Sequence, residues 1–126
     1  MKIEHLAIWT NQLEALKEFY CKYFKAESSE KYHNPKKQFT SYFLTFETGS
    51  RLELMHRPQL ASSTTNLGVG LAHFAFSVGS EQEVDRMTAM LSKDGYPAID
   101  GPRRTGDGYY ESTFHDPDGN IVELTV

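Results

Sequence analysis

The stretches His5-Leu6-Ala7-Ile8-Trp9 and Leu71-Ala72-His73-Phe74-Ala75-Phe76-Ser77-Val78 decide the fold, because each opens one half of the chain. Apolar residues recur at every second position in both stretches, which predicts a β-strand. A helix signal follows each strand. Asn11 and Glu14 come close to a capping box, and Ser80-Glu81-Gln82-Glu83 is a complete one. The sequence therefore predicts the same strand–helix order twice.

Each predicted helix carries one apolar stripe and is followed by further strands. The stripes are Leu13, Leu16, Tyr20, Tyr23 and Phe24 in the first half, and Val84, Met87 and Leu91 in the second. The later predicted strands are Phe39–Glu47, Arg51–Met55, Ala98–Ile99, Tyr109–His115 and Ile121–Val126. A predicted turn joins the last two strands of each half, at Gly49-Ser50 in the first and at Asp116-Pro117-Asp118-Gly119-Asn120 in the second. Gly95 is predicted to end the second helix.

Matched residues in the two halves keep a nearly constant separation. His5 and His73 are 68 residues apart, and Glu53 and Glu123 are 70 apart. A tandem duplication with small insertions explains this spacing. We expect one α+β domain over residues 1–126, built from two tandem β-α-β-β-β modules at about 1–57 and 71–126. The polar, aperiodic stretch at about 58–70 is predicted to be the linker.

Composition restricts the class of partner. The chain has 126 residues, with 13 basic and 17 acidic side chains and a net charge of −4, so it lacks the basic surface that nucleic-acid binding needs. No apolar run approaches the ~20 residues that span a bilayer, and the N-terminus has no signal-peptide core. We therefore expect a cytoplasmic protein that binds neither nucleic acid nor membrane.

The candidate site consists of four polar residues that the repeat pairs: His5 with His73, and Glu53 with Glu123. Each lies within a predicted strand, and alternation places all four on the face away from the helices. A lone strand histidine is usually structural and a strand glutamate is usually solvated. That interpretation gives no reason for both halves to place His early and Glu late. Trp9 shares the His5 face and is predicted to line a pocket or a subunit contact.

Two imidazoles and two carboxylates suit one borderline divalent ion, and two carboxylates neutralise its charge. The candidate ions are Zn²⁺, Ni²⁺, Co²⁺, Fe²⁺ and Mn²⁺, of which we expect Zn²⁺ or Ni²⁺. Four side-chain ligands leave one or two coordination positions for a small-molecule substrate.

The whole pattern resembles the vicinal oxygen chelate superfamily, which includes glyoxalase I, extradiol dioxygenases, fosfomycin-resistance proteins and bleomycin-binding proteins. The similar segments are His5-Leu-Ala-Ile, Arg51-Leu-Glu53-Leu, Ala72-His73-Phe-Ala-Phe-Ser-Val and Asp116-Pro-Asp-Gly-Asn-Ile-Val-Glu123-Leu. The resemblance implies a curved mixed sheet around a metal cleft, with the helices on its outer face. It also implies a homodimer whose clefts each take His5 and Glu53 from one chain and His73 and Glu123 from the other. Packing of both modules within one chain is the alternative.

The His-Glu-His-Glu set is similar to that of glyoxalase I, which implies a metal-dependent lyase or isomerase acting by proton transfer next to a carbonyl. The resemblance makes Glu123 and Glu53 the candidate catalytic bases, with Glu123 slightly favoured. The stretch from Arg103 to Tyr110 resembles a subgroup of small glyoxalase-like proteins. The sequence contains no clear set of residues for binding the carboxylates of glutathione. The resemblance therefore specifies neither the substrate nor the thiol that it carries. The alternatives are a drug- or metabolite-sequestering protein and a metal-dependent dioxygenase or thiol transferase.

Overall fold

The computed structural model describes residues 2–61, 70–106 and 108–126. Chain contacts divide it into two compact units, Met1–Thr64 and Thr65–Val126. Most of the predicted linker at 58–70 lies outside the described residues. None of the helices within the described residues has the length and apolar character of a membrane span.

The first unit is a five-stranded mixed sheet with one helix. Its elements are β1 (His5–Trp9), α1 (Leu13–Phe24), β2 (Glu27–Ser28), β3 (Tyr32–Asn34), β4 (Phe39–Thr45) and β5 (Arg51–His56). The strand order is β1-β5-β4-β2, with β3 also pairing with β4. β1 runs parallel to β5, whereas β4 is antiparallel to β5, β2 and β3.

The second unit repeats this topology with four strands. Its elements are β6 (Phe74–Ser77), α2 (Glu81–Lys93), β7 (Ala98–Arg104), β8 (Tyr110–His115) and β9 (Ile121–Thr125). The order β6-β9-β8-β7 corresponds to β1-β5-β4-β2, and β6 is again parallel to β9. The predicted α+β fold with a tandem repeat is therefore confirmed.

Each helix packs on one face of its own sheet. In the first unit Leu16 and Tyr20 of α1 are fully buried, as is Leu54 of β5. In the second, Val84 and Leu91 of α2 are buried with residues of β8 and β9. Burying each such side chain stabilises the fold by roughly 1.5–3 kcal/mol. The predicted apolar stripes thus form two cores, except that Phe24 is only half-buried.

The helix starts differ from one another. Ser80 caps α2 as predicted, because its hydroxyl accepts a hydrogen bond from the Glu83 amide. The predicted Asn11 cap of α1 is wrong: Gln12 is the N-cap residue and makes no side-chain cap hydrogen bond. The Gln12 amide donates to the Thr10 hydroxyl instead, which delays the helix by one residue, and Asn11 Nδ2 donates to the Leu60 carbonyl.

The strands also differ in detail from the sequence prediction. β2 and β3 were not predicted, because they are two and three residues long and largely exposed, and so lack an apolar alternation. β7 extends to Arg104 because shifts in its register with β8 accommodate Gly101 and Pro102. The predicted strand at Leu71–Val78 is shorter, Phe74–Ser77, so His73 directly precedes it rather than lying within it.

Candidate metal centre

His5 and Glu53 form a pair on the helix-free face of the first sheet. In the parallel ladder of β1 and β5, Glu53 pairs with Ala7, two residues after His5 and on the same face. The Nε2 atom of His5 lies 3.9 Å from Oε2 of Glu53. The flanking Leu52 and Leu54 are buried beneath α1, which fixes the direction in which Glu53 points.

His73 and Glu123 form the same pair in the second unit. Glu123 pairs with Ala75 in the parallel ladder of β6 and β9, again two residues after the histidine. The Nε2 atom of His73 lies 3.6 Å from Oε2 of Glu123. Val122 and Leu124 are fully buried on the opposite face. The repeat therefore reproduces the spatial relationship as well as the residue types.

Exposure differs within each pair in the same way. The imidazoles of His5 and His73 are 40% and 48% exposed, whereas the carboxylates of Glu53 and Glu123 are each 14% exposed. The carboxylates are therefore recessed behind imidazoles that solvent and solutes can reach. Recessed carboxylates lose part of their hydration, which makes a nearby cation a more favourable partner.

The surroundings of Glu123 are unfavourable for a negative charge. Its burial raises the pKa of its carboxyl group, and the charge of Glu111 raises it further. The positive charges of His73 and Arg103 oppose this rise. Arg103 Nη2 lies 3.5 Å from Glu111 Oε1, so it only partly neutralises that neighbour.

His5 has a second carboxylate beside it. Its Nδ1 lies 2.5 Å from Oε2 of Glu4, and Arg51 Nε donates to Oε1 of Glu4 at 2.8 Å. The hydrogen bonds from His5 and then from Arg51 lower the pKa of the Glu4 carboxyl group. Phe43 contacts both partners of Glu4: its ring is perpendicular to the His5 ring at a centroid separation of 5.4 Å, and the Arg51 guanidinium lies 4.3 Å from its centroid. Sequence reasoning missed Glu4, although it directly precedes a candidate ligand.

An aromatic cluster of Trp9, Tyr32 and Phe39 lies on the same face of the first sheet. Phe39 meets the Trp9 ring edge-on at 6.2 Å and the Tyr32 ring at 6.0 Å. The guanidinium of Arg57 lies 4.6 Å from the Trp9 centroid. Trp9 is 44% and Tyr32 is 55% exposed, so the cluster presents ring surface to solvent. The sequence indicated only Trp9, because β3 was not predicted.

Each His–Glu pair fits half of a divalent-ion site. Two donors about 2.1 Å from one ion lie roughly 3.4 Å apart at a tetrahedral angle, slightly less than the separations within the pairs. Small side-chain rotations suffice to close that difference. Within residues 2–61, 70–106 and 108–126, no group of three or more His, Cys, Asp or Glu side chains is arranged to hold an ion. The structure thus brings the four predicted ligands together as two pairs, one in each unit.

Known proteins share both the sequence pattern and the fold. The chain is 28% identical to Uncharacterized protein YqjT of Bacillus subtilis (strain 168), over 98% of each sequence. The glyoxalase family protein from Enterococcus faecalis superposes with a TM-score of 0.79 at 27% identity, covering 99% of this chain and 97% of that one. Lactoylglutathione lyase from Agrobacterium tumefaciens superposes with a TM-score of 0.71 at 26% identity, covering 98% and 91%.

The family model of the Glyoxalase/Bleomycin resistance protein/Dioxygenase superfamily matches residues 2–124. That range includes both modules and all four candidate ligands. The resemblance drawn from the sequence is therefore confirmed, and the chain belongs to the Glyoxalase/Bleomycin resistance protein/Dioxygenase superfamily.

Proposed function

We propose that this protein is a divalent-metal-dependent lyase or isomerase of the glyoxalase type, which moves a proton next to a carbonyl group of a small substrate. The observation that carries the proposal is the repeated His–Glu pair, with Nε2–Oε2 separations of 3.9 and 3.6 Å. Two independent modules keep the same recessed carboxylate beside the same accessible imidazole. Membership of a superfamily that includes glyoxalases supports this proposal.

The proposed centre combines the two pairs around one Zn²⁺ or Ni²⁺ ion, so that His5, Glu53, His73 and Glu123 are its protein ligands. A bound ion of this kind would act as a Lewis acid towards the substrate carbonyl. The two pairs come either from one chain or from the two chains of a homodimer. Light scattering at micromolar concentration distinguishes these arrangements, because a strict monomer rules out the shared site.

Proton transfer is assigned to a carboxylate of the same set. In a hemithioacetal, a carboxylate oxygen of Glu123 would take the proton from the carbon that carries the hydroxyl group and return it to the former carbonyl carbon. The hydroxyl proton passes to the former carbonyl oxygen, so that substrate and product are isomers and no other reactant is needed. Glu123 is assigned this role because its burial and the nearby charge of Glu111 raise the pKa of its carboxyl group, as suits a general base. Glu53 then serves mainly as a ligand that balances charge.

A turnover assay tests this proposal. The protein is freed of metal with a chelator, reloaded with Zn²⁺ or Ni²⁺, and offered hemithioacetals of 2-oxoaldehydes with several thiols, and epimerisable thioesters. We expect turnover only in the metal-loaded protein and a loss of about 10²–10⁴-fold in Glu123→Gln. Oxygen uptake with catechol substrates instead would identify the dioxygenase alternative. Glu47→Gln is a matched control, because Glu47 is exposed, lies in the turn between β4 and β5, and is not one of the candidate ligands.

The second candidate is a binding protein that sequesters a drug or metabolite. It is favoured by the aromatic cluster, which offers ring surface next to the cation of Arg57. Trp9 is the only tryptophan, so its fluorescence reports binding there directly. Stoichiometric quenching by aromatic carboxylates, with no turnover of any substrate in the metal-loaded protein, would favour this candidate over the enzyme.

A further inference from the structure

The two half-sites are unequal, and the difference is centred on the imidazole of His5. Three contacts surround this ring: Glu4 at Nδ1, the perpendicular ring of Phe43, and Glu53 near Nε2. An ionised carboxylate only accepts hydrogen bonds, so Glu4 requires the proton of neutral His5 to be on Nδ1. The lone pair of Nε2 is then free on the side that faces Glu53, where a metal ligand is needed.

Glu4 is itself held by a second residue. Arg51 Nε donates to Oε1 of Glu4 at 2.8 Å, and Arg51 Nη2 lies 2.5 Å from the same oxygen. The backbone amide of Arg51 also donates to the Glu4 carbonyl at 3.0 Å, which fixes the main chain next to His5. Because Phe43 lies against both Arg51 and His5, the carboxylate cannot turn away without losing several contacts at once.

Different residue types occupy the corresponding positions in the described part of the second unit. Ala72 precedes His73, and Thr113 takes the ladder position opposite Glu123 that Phe43 takes opposite Glu53. Ile121 corresponds to Arg51, two residues before the glutamate. In the part of the chain that the structure describes, the polar contact of His73 is with Glu123. Within the described residues, His5 is therefore the imidazole that has a second carboxylate at its Nδ1 atom.

We propose that Glu4 is a positioning residue, which fixes the tautomer and orientation of His5 so that Nε2 is presented to the metal. This inference rests on the proposed metal function. It makes the His5–Glu53 half-site the preorganised one and leaves the His73–Glu123 half-site to adjust. Partners of this type, placed behind a ligand, are worth about 10–100-fold in metal affinity.

The test compares Glu4→Ala and Glu4→Gln with the control Glu47→Gln. In the metal-free protein, at a pH where the ring is neutral, long-range ¹⁵N–¹H correlation spectra identify which nitrogen of His5 carries the proton. We expect Nδ1–H in the wild type and in the control, and a shift towards Nε2–H in Glu4→Ala. Glu4→Gln keeps an acceptor oxygen and is expected to retain most of the Nδ1–H form.

Metal affinity provides the second readout, by competition of Ni²⁺ or Zn²⁺ with a chromophoric chelator. We expect Glu4→Ala to weaken binding about 10–100-fold, with Glu4→Gln between it and the wild type. An unchanged tautomer or an unchanged affinity in Glu4→Ala would overturn the inference. Failure of the proposed function can be distinguished from failure of this inference. The first would appear as absence of metal binding in the wild type, whereas the tautomer of His5 is measured without metal.

Discussion

Glu53 stands opposite Ala7 rather than opposite His5 in the ladder of β1 and β5, yet its Oε2 lies 3.9 Å from His5 Nε2. The two side chains meet diagonally, because they share a sheet face and lean along the strands. The same displaced relationship recurs between His73 and Glu123. A diagonal pair brings two donors near one point without stacking them, as chelation of an ion requires.

Replacing Glu123 with Gln is expected to stabilise the metal-free protein. Burial raises the pKa of Glu123 above its ordinary value, so its ionised form is less favourable in the folded chain than in the unfolded one. This penalty is absent at low pH, develops as pH rises through the carboxyl range, and is fully present near neutrality. Urea unfolding of chelator-treated protein should show Glu123→Gln to be more stable at about pH 7, with the gap closing by about pH 4. A less stable mutant at neutral pH would contradict this.

Glu14 links α1 to β4 through a cluster of hydrogen bonds. Lys31 and Lys17, with a smaller contribution from the Tyr42 hydroxyl, lower the pKa of Glu14 to about 2. Its ionised form is thus favoured by folding, and this stabilisation is complete above the ordinary pKa of 4.5 and lost as pH falls towards about 2. Because the side chain is 49% exposed, solvent screening limits the effect to about 1 kcal/mol or less.

The corresponding measurement is urea unfolding of Glu14→Gln at two pH values. We expect a loss of up to about 1 kcal/mol near neutral pH and a much smaller difference from the wild type near pH 2. Glu18→Gln on the same helix, where the side chain is exposed, serves as the control. A loss that persists unchanged in acid would show that the effect of Glu14 is not electrostatic.

A buried pair of hydroxyl groups joins α2 to β8. Thr88 Oγ1 donates to the Val84 carbonyl at 2.7 Å and lies 2.6 Å from Ser112 Oγ, and both residues are buried. Thr88→Val deprives the Ser112 hydroxyl of this partner and should cost about 1–3 kcal/mol. Ser112→Ala should cost less, because Thr88 still has Val84. In a double-mutant cycle the combined change should cost less than the sum of the single changes, and strict additivity would refute the interaction.

The two helix starts lead us to expect losses of different size when the residue near each start is replaced by Ala. Ser80→Ala removes the hydroxyl that accepts from the Glu83 amide and should destabilise the protein by about 1 kcal/mol. Asn11→Ala should cost only a few tenths of that, because Asn11 caps no helix and its one long hydrogen bond is to the Leu60 carbonyl. Thermal unfolding of the two mutants compares them directly, and equal losses would contradict the assigned N-cap.

The repeat was predictable from sequence because each half carries strong local signals. The alternation around Glu53 and around Glu123 is set by buried leucine and valine neighbours, so their side-chain direction follows from the strand period alone. The Ser80 cap was also predictable, since its hydroxyl and the Glu83 amide are three residues apart. Local spacing therefore determines the elements and the pairing of His with Glu within each half.

Other features depend on contacts that spacing does not encode. The Thr10 hydroxyl competes with Asn11 for the start of α1, and the sequence contains both. The pairing of Tyr32 with Ser41 creates β3 and carries Tyr32 to the Phe39 ring, although the strand itself has no apolar alternation. The contact of Glu4 with His5 depends on Arg51, which lies 47 residues away in sequence and holds the carboxylate in place.

The measurement that most directly tests the central claim is a titration of metal-free protein with Ni²⁺ or Zn²⁺, for the wild type and for single substitutions of His5, Glu53, His73 and Glu123. All variants should keep the wild-type circular dichroism, because the cores lie on the opposite sheet faces. We predict one ion per chain in the wild type, a severe loss of affinity for each His→Ala change, and a moderate loss for Glu53→Gln and for Glu123→Gln, because each glutamine retains an oxygen donor but lacks the negative charge. Wild-type stoichiometry and affinity in both Glu→Gln variants would show that these carboxylates are not ligands and would contradict the account.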